Sequence, residues 1–257
     1  MEKRRLRIEE GIFQALRSEG LLEKHRRNHR PCSKIGFVGC RDPRCHFEHA
    51  GHLREKHGLI AVGYPLFGGG FRLSEHAPID VDFWTRVTRM TFPSAELEDA
   101  FVSDRDFAHR QSCLEAIASG VLLLGIDILN LDVHGPKCSW ASMHGVGLHH
   151  QLWFNHSARL RVDSLAHDGR WIKEAREFGR EMSNDRFTVY ETLHWHTDQD
   201  TGHDGEAHAT WRIEPEHELF QRFSMAQIKG LTEEQFLAAL VPDHPALALT
   251  GQEVPIS

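Results

Sequence analysis

No run of this chain approaches the roughly 18 apolar residues of a membrane-crossing helix. The charged start Met1-Glu2-Lys3-Arg4-Arg5 leads into no apolar segment of the kind a signal peptide needs, so cytoplasmic residence is the expectation. Cysteine is scarce. The five present (Cys32, Cys40, Cys45, Cys113 and Cys138) are an odd number in a chain too long to depend on bridges, which favours thiols or metal thiolates over a disulfide framework. A Walker loop, a GxSxG elbow and a GxGxxG fingerprint are all missing, so nucleotide hydrolysis, serine-hydrolase chemistry and dinucleotide binding have no direct support. Internal repeats and low-complexity segments are absent too.

What is present is a 257-residue chain, 40% hydrophobic, able to bury a full core as one large α/β domain or one domain with extensions. Twenty histidines raise the expectation of a metal. The net charge of -7 is unevenly spread: residues 1–60 hold 14 Lys and Arg against 8 Asp and Glu, so the first quarter is basic and the remainder acidic. A solvated amphipathic helix explains the basic start, and a segment facing nucleic acid is the sharper alternative.

Residues 6–28 show helical spacing, with Ile8, Ile12, Phe13, Leu16 and Leu21 or Leu22 along one face, and read as a docking helix. A strand over 34–39, a helix from Cys45 to Lys56 and a strand over 59–62 form a βαβ rhythm. The loop Tyr64-Pro65-Leu66-Phe67-Gly68-Gly69-Gly70 follows, its glycines allowing a close backbone approach. Residues 74–106 read as irregular, with one or two short helices. A helix over 107–124 and a strand over 126–133 come next, then a mostly helical stretch over 149–182. A strand over 187–195, its hairpin partner over 209–213, and a helix capped at Thr232 complete the pattern. The expected fold is α/β, with a central, mainly parallel sheet flanked by helices on both faces. The expected domains are an amphipathic extension (1–30), an α/β zinc-binding domain (31–223) and a helical tail (224–257).

Chemistry collects at two strand ends. Cys40-Arg41-Asp42-Pro43-Arg44 follows the apolar run Ile35 to Gly39, placing a thiol, a carboxylate and a guanidinium at every second position. In α/β sheets ligands bind at the carboxyl ends of such strands. His134-Gly135-Pro136-Lys137-Cys138 ends a second apolar strand about 90 residues later, and the intervening helix lets a parallel sheet bring the two ends side by side. Cys40, His134 and Cys138 then make a three-ligand set of the kind found in catalytic zinc sites, with a fourth position left for water or substrate. Asp42 can orient a bound hydroxide, and Arg44 can hold Asp42 ionised.

Cys-x-Asp-x-Arg after a strand, then helix, strand, glycine-bearing loop, helix and a strand ending in a His and Cys pair resembles the β-class carbonic anhydrases over about residues 33–140. The resemblance implies Zn2+ held by Cys40, His134 and Cys138, a carboxylate and arginine pair in Asp42 and Arg44, and zinc-hydroxide attack on carbon dioxide to give bicarbonate. It also implies that fold, a small-molecule substrate and a homodimer or higher homo-oligomer, which the amphipathic first helix suits as well. Two departures are plain: three residues separate His134 from Cys138 where the family has two, and the loop 64–70 does not match the family's Arg-Asn-Ala-Gly-Asn. A divergent member could act on carbonyl sulfide or carbon disulfide instead, or lack activity.

An alternative uses the same cysteine. Cys32-x7-Cys40-x4-Cys45-x3-His49, with Phe47 before the histidine, resembles the CCCH zinc fingers that bind single-stranded RNA, and the basic first quarter suits it. Such fingers recur in tandem and lack an apolar strand between their first two cysteines, so a nucleic-acid partner is the less favoured expectation. Elsewhere, Cys113 reads as a core residue on an apolar helix face. His194, His196, His203 and His208 read as a solvated hairpin or, more sharply, a second metal site, and His144, His149 and His150 as a proton shuttle or replacement ligands.

Overall fold

Four parallel strands carry the molecule, and their order places the site. The computed structural model describes residues 2–24, 34–40, 59–66, 68–79, 99–135, 138–168, 171–177, 179, 187–196 and 208–248. Its strands are β1 (Leu22–Lys24), β2 (Lys34–Val38), β3 (Leu59–Gly63), β4 (Ile128–Gly135), β5 (Thr188–His196) and β6 (His208–Ile213), in one sheet of order β1-β6-β5-β4-β2-β3. Strands β3, β2, β4 and β5 run parallel, while β6 and β1 add an antiparallel edge. From β2 the chain goes outward to β3, then crosses back to enter β4 on the other side of β2. The strand order therefore reverses between β2 and β4. In open α/β sheets the crevice at such a reversal, beyond the carboxyl ends of the strands, is where ligands bind.

The helices are α1 (Glu2–Glu19), α2 (Asp99–Leu124), α3 (Ser139–Met143), α4 (Leu148–Asp168), α5 (Trp171–Glu177), α6 (Leu219–Arg222), α7 (Met225–Gly230) and α8 (Glu233–Leu240). Strand side chains alternate between faces, and register assigns each residue to one. Val38, Leu129, Leu131 and Val189 pack with Leu114, Ile117 and Val121 of α2 and with Ala158 and Val162 of α4. On the same face Val133, Leu193, Trp195 and Trp211 meet α1 and the C-terminal helices, and Phe13 stacks on Trp195 with ring centroids 4.1 Å apart. The helices expected on both faces are thus met on one face among the described residues. The other face carries Ile35, Phe37, Asn130, Asp132, His134, Thr192 and His194, all buried.

Several boundaries differ from the sequence expectation. Helix α1 stops at Glu19 because Gly20 turns left-handed (φ 87), the Leu21 amide donates to the Leu16 carbonyl, and the Gly20 amide donates to that of Arg17. That double bond pattern terminates helices, and the chain becomes β1 where a continuing helix was expected. Helix α2 begins at Asp99, within the stretch that reads as irregular. Asp106, charged yet buried, breaks the apolar pattern just ahead of the expected start, and it joins Arg72 and Arg110 in an internal ion network. Strand β4 runs on to Gly135, so His134 belongs to the strand itself. The expected helix over 45–56 lies outside the described residues.

The first helix docks on its own chain. Ile8, Ile12, Phe13 and Leu16 share a core with Phe223, Ile228, Phe236 and Leu237, and Arg4 pairs with Glu234 at 2.7 Å. Its apolar stripe is therefore occupied by the C-terminal helices, which removes that stripe as a reason to expect a dimer. No helix among the described residues is long and apolar enough to cross a membrane.

Candidate metal centre

Strands β2 and β4 pair directly, with Val38 opposite Leu131. Cys40 lies two residues beyond the end of β2, in an isolated parallel bridge with Leu66, and His134 occupies the last turn of pleat in β4. After Gly135 the chain returns to place Cys138 at the N-cap of α3, where its Sγ accepts the Ala141 amide at 3.4 Å. The ligand atoms of Cys40, His134 and Cys138 all lie within 4.8 Å of one another, and all three residues are buried. Two sulfurs and one imidazole nitrogen thus converge at the reversal of strand order.

A hydrogen bond with Cys40 and burial push the Cys138 thiol well up, while His134 pulls it the other way. Three buried donors, with Cys138 hydrogen-bonded to the other two, form a centre in which a divalent cation can take the protons' place, releasing them on binding. The donor set fits zinc. Bonds of about 2.3 Å to sulfur and about 2.0 Å to nitrogen put tetrahedral donors about 3.5 to 3.8 Å apart, inside the 4.8 Å within which the three ligand atoms lie here. The metal's identity is a separate question, since thiolate and imidazole also suit other soft or borderline ions.

The glycine-bearing loop does approach something closely, namely the two strands that carry the ligands. Gly69 has φ 104, and a Cβ there would collide with the Asp132 carbonyl oxygen and lie 3.5 Å from the Cys40 amide. A Cβ on Gly70 would come within 2.9 Å of the Asp132 amide and 2.8 Å of Asn155 Oδ1. The following 3-10 turn, Gly70–Leu73, carries Arg72, whose guanidinium lies 4.4 Å from the Trp140 ring centroid. Arg72 and Arg110 both grip Asp106, at 2.7 and 2.6 Å, and Arg110 also donates to the carbonyls of Ser74, Ala77 and Pro78. Loop, α2 and α3 are so joined behind the cluster.

Of the residues singled out in the sequence, Cys40, His134 and Cys138 come together. Asp42 and Arg44 lie outside the described residues, as do Cys32, Cys45 and His49 of the finger alternative. Cys113 is half-buried against the α2 side of the core rather than within it, and burial pushes its thiol up to about 12. His144 lies against Trp140 at 4.2 Å between ring centroids. His149 and His150 serve the C-terminal helices instead: their Nε2 atoms donate to the carbonyls of Leu231 and Ile228, each at 2.9 Å. His194 is buried directly opposite His134 on β5, and so departs from the solvated hairpin expected for it.

Sequence reasoning passed over Asn130, Asp132, Thr192 and Glu9. The first two had a signal: polar residues at every second position in an apolar strand, in phase with His134. Glu9 had none, being an acidic residue in an amphipathic helix. It is buried, and a Cβ on Gly135 would lie 3.1 Å from its Oε1, beside the segment joining His134 to Cys138.

No family model, no curated protein and no solved structure matches this chain. The site is defined by its own geometry.

Proposed function

We propose that the chain is a zinc-dependent enzyme similar to the β-class carbonic anhydrases, adding water to carbon dioxide or to a related heterocumulene such as carbonyl sulfide or carbon disulfide. The observation that carries this reading is the convergence of Cys40, His134 and Cys138 at the reversal of strand order. Zn2+ held there would supply the Lewis acidity that makes water a nucleophile near neutral pH. Cys40 and Cys138 bring two negative charges to balance a divalent cation, and His134 adds a neutral donor, which leaves a fourth position for substrate chemistry. Asp42 would orient the nucleophile by accepting its proton in a hydrogen bond, and Arg44 would keep Asp42 ionised. Thiolate ligands suit a reducing compartment such as the cytoplasm. The partner is a small carbon dioxide-like molecule, and a homo-oligomer belongs to the same reading.

Two measurements test it. Zinc stoichiometry in Cys138→Ser and Cys45→Ser variants separates this centre from a CCCH finger: loss of zinc with Cys138→Ser alone is expected, and loss with Cys45→Ser alone sinks the enzyme reading. Stopped-flow hydration of carbon dioxide on the zinc-loaded wild type, between about pH 7 and 9, should exceed the buffer rate. A rate equal to buffer throughout removes carbon dioxide as substrate.

A further inference from the structure

A polar row runs beneath the metal centre on the sheet face opposite the described helices. Asn130, Asp132 and His134 occupy alternate positions of β4 and rise on one face; Tyr190, Thr192 and His194 stand opposite them on β5. Asp132 is 2% exposed and Thr192 is fully buried. Thr192 Oγ1 donates to Asp132 Oδ1 at 2.8 Å and accepts from Asn130 Nδ2 at 3.0 Å. Asn130 Oδ1 also lies 3.2 Å from the same hydroxyl, but the hydroxyl has one proton, and the shorter contact to the stronger, carboxylate acceptor directs it to Asp132. Burying a carboxylate is costly, and Asp132 is the one acidic side chain in this row, so packing alone is a poor reason for it.

Asp132 lies two residues before His134 on the same face of β4, so the two side chains leave the strand in the same direction. Imidazoles that hold metals are commonly oriented by a carboxylate, and removing that partner weakens metal binding. We infer that Asp132 is a positioning residue for His134, and that Asn130 and Thr192 in turn hold Asp132. The inference rests on reading Cys40, His134 and Cys138 as a metal centre and is independent of the substrate.

The test measures zinc affinity of the full chain by chelator competition, together with the visible absorption of the cobalt-substituted protein. Asp132→Asn, which keeps shape and an acceptor oxygen for Thr192, should weaken zinc binding by about 10- to 100-fold and alter the cobalt spectrum. Thr192→Val should give a smaller loss in the same direction, and Thr192→Ser should restore wild-type values. A purely packing role would lower thermal stability of all three variants yet leave zinc affinity and cobalt spectrum at wild-type values, which overturns the inference. Should Asp132→Asn not fold, the Val and Ser pair at Thr192 decides. Failure of the metal reading looks different: wild type and Cys138→Ser would then both bind no zinc, and the inference would fall with it.

Discussion

Gly69 passes the carbonyl oxygen of Asp132 so closely that no side chain fits between them. That contact seats the glycine loop against both ligand-bearing strands, since the Cys40 amide borders the same space. Gly69→Ala meets two penalties at once, a left-handed φ of 104 and a steric collision with backbone that cannot rotate away. It should cost at least about 2 kcal/mol in urea unfolding and weaken zinc binding. A variant as stable as wild type would show that the loop yields freely.

Cys138 and Cys113 should respond in opposite ways. Cys138→Ser removes a sulfur donor and should abolish stoichiometric zinc, with the thermal midpoint no longer raised by added metal. Cys113→Ser lies away from the cluster and should retain one zinc per chain. Zinc retention in the first variant, measured by elemental analysis after dialysis, contradicts the proposed ligand set.

Acid should detach the C-terminal helices first. His149 is stacked on Phe236, and burial, followed by its neighbour His150, lowers its pKa from 6.5 to about 3. His150 is also lowered, chiefly by burial. A depressed imidazole means that the unfolded chain binds protons the folded chain refuses, so stability is complete above 6.5 and falls as the pH drops towards 3. The loss from His149 should reach about 2 kcal/mol near pH 5. His149→Gln, whose amide can still donate to the Leu231 carbonyl, should flatten this slope while staying close to wild type near pH 7.5. Equal slopes in urea midpoints against pH would exclude His149 as the source.

Asp106 balances two guanidiniums in the interior. Asp106→Asn leaves Arg72 and Arg110 buried without a counter-charge, and should cost about 3 to 5 kcal/mol in denaturant unfolding. A loss below about 1 kcal/mol would place the network in solvent-screened surroundings instead.

Much of the scaffold is legible in the chain because buried strands advertise themselves. Ile35 to Val38, Ile128 to Val133 and Phe187 to Trp195 are short runs with the right punctuation, and they became β2, β4 and β5. The apolar stripe of α1 was equally readable, but its partner was not, because the matching surface comes from helices more than 200 residues away. Where charge is buried, the pattern stopped short: Asp106 looks like a surface residue until the network with Arg72 and Arg110 closes around it. Gly20 also carried a helix stop that periodicity alone overlooks.

By itself the sequence determined the donors: which residues have lone pairs suited to a soft or borderline cation, and that Cys40 and His134 sit at strand ends. Local spacing settles such matters, since the strand pattern and the residue type are properties of a few neighbours. Only the tertiary structure decided that β2 and β4 lie side by side at the reversal of strand order, so that Cys40 meets His134 and Cys138. It also decided that Asp132 and Thr192 meet beneath them. Strand adjacency is set by long-range pairing and by which helix faces must be buried, and no window of sequence contains that choice.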